Sequence, residues 1–119
     1  MARLIVAGGR DFTDKELAFE EIDAADKLLG IYKIVSVGAG GAKHKGEEWA
    51  LLRESPVERF NPNWDGLGRS AGFARNEEMA LYADALLAFW DGKSKGTKHM
   101  IDTAIRKGLW TKVVRYEQG

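Results

Sequence analysis

A chain of 119 residues, 45% apolar and 30% charged, has the size and composition of one domain with a single core. Its formal net charge is zero, which argues against a protein whose main task is gripping nucleic-acid backbone, and the lack of cysteine excludes disulfides, thiolate zinc sites and cysteine nucleophiles. No apolar run approaches the ~20 residues that span a bilayer, and no basic segment with a long apolar run precedes Arg3-Leu4-Ile5-Val6, so neither membrane span nor signal peptide is expected and a cytoplasmic location is.

Leu4 to Ala7 predicts a short buried strand closed by Gly8-Gly9. Thr13-Asp14-Lys15-Glu16 has the pattern of a capping box. Ala18, Ile22, Ala25 and Leu29 then form one apolar helical stripe, which Gly30 ends. Ile34 to Val37 predicts a second strand, followed by Gly38-Ala39-Gly40-Gly41, a helix around Glu47 to Arg53 and a short strand from Val57 to Phe60. From Asn61 to Gly72 no apolar period survives, and loops of about this length are often functional. Asn76, Met79, Ala80 and Ala83 mark a third helix, and Ala85 to Trp90 is a continuous apolar run suited to a central strand buried on both faces. Asp91 to Gly96 breaks that run. Thr97 is expected to cap a helix carrying Met100, Ile101, Ala104 and Ile105, Gly108 to stop it, and Lys112 to Arg115 to form an edge strand. This alternation is the signature of β-α units on a parallel sheet, and residues 1–119 read as one domain without repeat or linker.

In such a sheet, ligands bind beyond the carboxyl ends of the strands, where strand order reverses. Three strand-to-helix turns carry glycines that allow close backbone approach: Gly8-Gly9, Gly38 to Gly41, and Gly92 to Gly96. The helix after the third turn aims free N–H groups into the same space, and Lys93, Lys95 and Lys98 add positive potential. The expected ligand therefore carries phosphate. Standard nucleotide motifs do not fit: a P-loop needs glycine at Leu87, and a dinucleotide fingerprint starting from Gly38 needs glycine at Lys43. The charge asymmetry, acidic from Asp11 to Asp26 and basic from Lys93 onward, reads either as two solvated helix faces or as a local anion site.

The residues also carry a resemblance. Gly8-Gly9-Arg10-Asp11-Phe12, the stretch from Asn63-Trp64-Asp65 to Arg75-Asn76, and above all Ala83-Asp84-Ala85 through Phe89-Trp90-Asp91-Gly92-Lys93-Ser94-Lys95-Gly96-Thr97 to Ile101 resemble the small DUF2493 proteins of the SLOG superfamily, found in bacteria and phages. The resemblance covers nearly the whole chain. It implies a Rossmann-like, three-layer αβα sandwich on a mostly parallel sheet of about five strands, expected here in the order 3-2-1-4-5. It also implies a pocket for a nucleotide or ADP-ribose-like molecule and a homo-oligomer, with no metal, no resident cofactor and no nucleic-acid partner. The ligand-binding residues expected are Gly8, Gly9, Arg10, Asp11, Ser36, Gly38, Ala39, Arg75, Asn76, Asp91, Gly92, Ser94, Gly96 and Thr97.

Departures from the family pattern bear on function. After the second strand the relatives read S-G-G-A-R-G-x-D, whereas Val37, Gly40 and Lys43 stand at the second glycine, arginine and aspartate positions. The phosphoribohydrolase branch has an R-K-x-x-M run and a P-G-G-x-G-T-x-x-E run. Arg75-Asn76-Glu77-Glu78-Met79 is similar to the first; Gly96-Thr97 matches the second, but Met100 replaces its glutamate. Methionine cannot move a proton or stabilise an oxocarbenium-like centre. Among single residues, Arg10 either clamps phosphate or pairs with the acidic helix, Arg75 either binds phosphate or caps the loop, and Asp91 either holds ribose hydroxyls or caps its own turn. Trp64 offers a face for a base, Trp90 closes the core, and His44 and His99 lack partners at metal-ligand spacing. Three readings follow: a protein that senses or sequesters a nucleotide-derived signal, an N-glycosidic hydrolase or transferase, and an oligomeric accessory protein of DNA metabolism. Met100 favours the first over the second, and zero net charge disfavours the third.

Overall fold

Alternating apolar runs and amphipathic stretches become five strands and four helices in a computed structural model that describes residues 1–9, 11–37, 41–60 and 71–117, with backbone alone for residues 37, 41–44 and 71. The elements are β1 (Ala2–Gly8), α1 (Lys15–Leu29), β2 (Ile31–Val37), α2 (Gly41–Leu52), β3 (Val57–Phe60), α3 (Ala71–Tyr82), β4 (Ala85–Trp90), α4 (Lys95–Arg106) and β5 (Trp110–Arg115). Every strand pairing is parallel, and the sheet order is β3-β2-β1-β4-β5, as expected from the sequence. The fold is Rossmann-like. β1 pairs with β2 on one side and with β4 on the other, so the order reverses between β1 and β4, and Gly8 lies in register with Phe89 at their carboxyl ends.

The period of two along each strand divides the core between the two faces of the sheet. Leu4, Val6, Leu87 and Phe89 point to the face covered by Ala18, Ile22 and Ala25 of α1 and by Trp49 and Ala50 of α2. Ile5, Ala7, Leu86 and Ala88 point to the other face, covered by Met79 and Ala80 of α3 and by Met100, Ile101 and Ala104 of α4. β4 is buried at every position from Ala85 to Phe89, which is why its sequence is a continuous apolar run without alternation.

The helix ends differ from the sequence reading in ways that local chemistry explains. Asp14, not Thr13, is the N-cap of α1: its carboxylate accepts from the Leu17 N–H at 3.0 Å. Gly30 ends α1 in the left-handed conformation, φ 68°, and returns its N–H to the Asp26 carbonyl. Ser94, not Thr97, caps α4, which therefore begins at Lys95. α2 starts at Gly41, well before Glu47, because its glycine-rich first turn hides the helical pattern. α3 begins at Ala71, so the end of the stretch read as irregular is helical; residues 61–70 lie outside the described residues. Ile105, read as part of the apolar stripe of α4, is 60% exposed, and Thr97 and Thr103 are buried instead.

Candidate functional site

The turn between β4 and α4 is built by its own side chains. Asp91 Oδ1 accepts from the backbone N–H groups of Lys93 at 2.8 Å and Ser94 at 2.9 Å. Those two bonds, Ser94 first, hold the Asp91 carboxyl below the usual carboxylate range. Asp91 thus acts as the cap of its own turn. Gly92 takes φ 85°, and a β-carbon there would run into the guanidinium of Arg115, so both its backbone and its surroundings require glycine. Ser94 Oγ accepts from Thr97 N–H at 3.3 Å and donates to Thr97 Oγ1 at 3.1 Å. Trp90 Nε1 donates to the Ser94 carbonyl at 3.1 Å, which fixes the turn to the end of β4. With Ser94 as the cap, the amides of Lys95 and Gly96 open the helix without intrahelical acceptors, the usual position for an anion. A β-carbon on Gly96 would meet nothing within 4 Å, so the space in front of those amides is open.

α3 supplies the next part. Asn76 is 1% exposed, and its amide Nδ2 reaches the Gly96 carbonyl at 3.4 Å and His99 Nδ1 at 3.0 Å. Its Oδ1 accepts from Arg75 Nη2 at 3.3 Å. One buried amide therefore ties Arg75 to the first turn of α4. Burial lowers the pKa of Arg75, and its Nε is buried with no hydrogen-bond partner among the described residues. His99 stacks on Phe73 with ring centroids 4.1 Å apart, and burial lowers its pKa too. With Asn76 Nδ2 donating, the neutral ring carries its proton on Nε2.

On the β1 side, Gly9 is small for a different reason. A β-carbon there would strike the hydroxyl of Tyr116, and Asp11 Oδ1 would lie 2.8 Å from it. The Tyr116 hydroxyl donates to Asp11 Oδ1 at 2.7 Å, and burial first, then Asp11, pushes its pKa up. Asp11 is thus exposed but engaged with the end of the chain. Ser36, at the carboxyl end of β2, is buried and donates at 2.7 Å to Glu47 Oε2, a carboxylate also held by Arg59. Its hydroxyl is used in joining β2, α2 and β3. Arg10, Gly38, Ala39 and Trp64 lie outside the described residues. Met100 is 1% exposed and packs with Ile5 and Leu86, so its side chain belongs to the core.

The electrostatics gather the parts. Arg3, Lys15, Lys33, Lys45, Arg53, Arg59, Lys98, Arg106, Lys107 and Lys112 each lie within 4.0 Å of a carboxylate. Lys27, Arg75, Lys93, Lys95 and Arg115 make no ion pair among the described residues. Lys27 is in the last turn of α1, where it complements the helix dipole. The other four stand around the first turn of α4 and the β4–α4 turn. No group of three or more His, Asp or Glu that could hold a metal ion occurs among the described residues.

Residues 2–66 match the YspA, cpYpsA-related SLOG family. The chain belongs to this family. It is also similar to the Gene 61 protein of Mycobacterium phage D29, 33% identical over 118 residues that cover 92% of this chain and 93% of the relative. No solved structure matches the chain. The SLOG match ends before α3, so it covers the first two glycine turns but not the β4–α4 turn.

Among the expected site residues of this SLOG chain, the structure brings Arg75, Asn76, Gly92, Ser94, Gly96 and Thr97 together around the first turn of α4. Gly8 and Gly9 lie at the carboxyl end of the neighbouring β1. Sequence reasoning missed Arg115 and Tyr116. The signal for them was the pairing of the last strand: in parallel register Arg115 falls opposite Trp90, at the same edge as the glycine turns. No helix among the described residues is long and apolar enough to cross a membrane.

Proposed function

We propose that this SLOG protein binds a phosphate-bearing, nucleotide-like small molecule at the carboxyl edge between β1 and β4, as a sensing or sequestering protein. The observation that carries this reading is the convergence of Arg75, Lys93, Lys95 and Arg115, all without ion pairs among the described residues, on one open helix N-terminus at the point where strand order reverses. Ten other cations of the chain are paired on the surface; these four are held in place by a buried amide, a glycine turn and an indole ring with no carboxylate to neutralise them. Membership of the SLOG family supports a nucleotide-related ligand. Met100 supports binding over glycosidic cleavage, because the position of the hydrolase glutamate is filled by a core side chain.

The test is calorimetric titration with AMP, ADP, ADP-ribose and its cyclic isomers, alongside thermal unfolding; a ligand at 100 times its dissociation constant adds about 2.7 kcal/mol of stability. Gly96→Val is the clean probe, since a side chain there meets open space and not protein. It should fold as the parent does and lose binding. Chromatography of AMP after incubation should show no free base. Absence of binding by every compound in the panel would remove the reading, and steady release of base would replace it with hydrolysis.

A further inference from the structure

A groove of about 590 Å³ opens on the β5 side of the β4–α4 turn, lined by Asp91, Lys93, Arg115, Tyr116 and Glu117. Its volume is within the range of roughly 300–1,000 Å³ usual for small-molecule pockets. Its walls are fixed. Tyr116 N–H donates to the Trp90 carbonyl at 3.2 Å, and the Tyr116 hydroxyl is turned to Asp11. Asp91 Oδ1 is taken up by the amides of Lys93 and Ser94, so that oxygen serves the turn and not the neighbouring cations. Arg115 lies across Gly92 with its guanidinium 5.1 Å from the centre of the Trp90 ring. A guanidinium held by an aromatic face keeps its N–H edge free to donate, and a planar fork of donors suits a phosphate oxygen pair. Lys93 adds a second charge on the same wall, and neither cation has an ion pair among the described residues.

We propose that this groove is a second anionic subsite, sharing the β4–α4 turn with the first, and that the ligand is a nucleotide with a second phosphate beyond the one at the α4 N-terminus: a nucleoside diphosphate or its ester. The proposal rests on the nucleotide-like reading above. The two subsites flank the four residues Asp91 to Ser94, with the open amides of Lys95 and Gly96 on one side and Lys93 and Arg115 on the other. A monophosphate satisfies one side and leaves the arginine fork unused.

The experiment is calorimetric titration of the full chain with AMP, ADP and inorganic pyrophosphate, repeated on Arg115→Gln and Lys93→Ala after circular dichroism has verified their folding. ADP is expected to bind at least about tenfold more tightly than AMP, as one added charge-assisted phosphate contact implies. Arg115→Gln should abolish most of that difference while AMP affinity stays within about twofold, since AMP does not reach the groove. Lys93→Ala should reduce the difference less, because an ammonium offers no fork. Should Arg115→Gln fold poorly, Arg115→Lys keeps the charge and should still lose part of the ADP advantage. Equal affinity for AMP and ADP, or a parallel loss of both in Arg115→Gln, overturns the second subsite and leaves the first standing. Tight binding of pyrophosphate alone together with no binding of AMP or ADP identifies an inorganic-anion site and overturns both readings. So does the absence of any binding.

Discussion

Arg75 shows what the site costs the unliganded chain. A cation pulled from water without a carboxylate partner destabilises the fold, and a buried guanidinium N–H without an acceptor adds to that cost. Such a group persists where a ligand supplies the missing charge. Arg75→Met keeps most of the length and the packing of the side chain while removing the charge. Its expected outcome is an urea midpoint equal to or above that of the parent, with nucleotide affinity reduced by about tenfold or more, as loss of a charge-assisted contact implies. A drop in both quantities would make Arg75 a structural residue of the α3–α4 pair. Gly9 and Gly92 teach the complementary lesson. Both were read as places where a ligand approaches the backbone, and both are in fact approached by side chains from the end of β5: the Tyr116 hydroxyl at Gly9 and the Arg115 guanidinium at Gly92. The sequence could show that something must come close there but not what, because the approaching groups lie more than 20 positions away along the chain.

At the scale of elements, the helices are joined to each other by a few polar contacts made where apolar packing leaves a donor. Trp49 on α2 is 2% exposed, and its Nε1 donates to Asp23 Oδ1 of α1 at 2.9 Å. The same oxygen accepts from Arg53 Nη2 at 2.9 Å. Asp23→Ala leaves the indole N–H buried without its acceptor, which costs about 1–3 kcal/mol, most of it from that orphaned donor and little from the exposed Arg53 pair. Denaturant titration checks this, and Arg53→Ala alone should cost far less. A comparable loss in both variants would show the surface ion pair to be the main contact. The caps follow the same logic. Thr13-Asp14 and Ser94 through Thr97 each offered more than one side chain able to accept from a first-turn amide, and the residue chosen was the one standing three before the amide it serves. Helix existence was legible in the apolar stripes of α1, α3 and α4; helix starts were not, since a cap is a choice among neighbouring short polar side chains.

On the scale of the whole molecule, one sheet serves two cores, and adjacent residues of β4 belong to different ones. Leu87 packs with α1 and α2, Leu86 with α3 and α4, and both are 0% exposed. Because the strand they share is common to both cores, Leu86→Ala and Leu87→Ala should each cost about 2–5 kcal/mol and lower the midpoint of one and the same transition. Circular dichroism and tryptophan emission should move together; two separated transitions in either variant would mean that the faces unfold independently. The amino-acid sequence by itself determined the number, order and parallel pairing of the strands and the edge at which a ligand would meet the glycine turns. That followed because the β-α alternation and the unbroken apolar run of β4 leave few ways to cover both faces of a sheet. Only the tertiary structure decided which polar groups remain available at that edge. It turned Asp91 and Asp11 to contacts of their own, Ser36 to Glu47 and Met100 into the core. It left Arg75, Lys93, Lys95 and Arg115 without ion pairs among the described residues, and brought Arg115 from the last strand to the β4–α4 turn. The physical reason is that hydrogen bonds and ion pairs act over a few ångströms, and which groups come that close is set by strand register and helix docking across separations that no local pattern records.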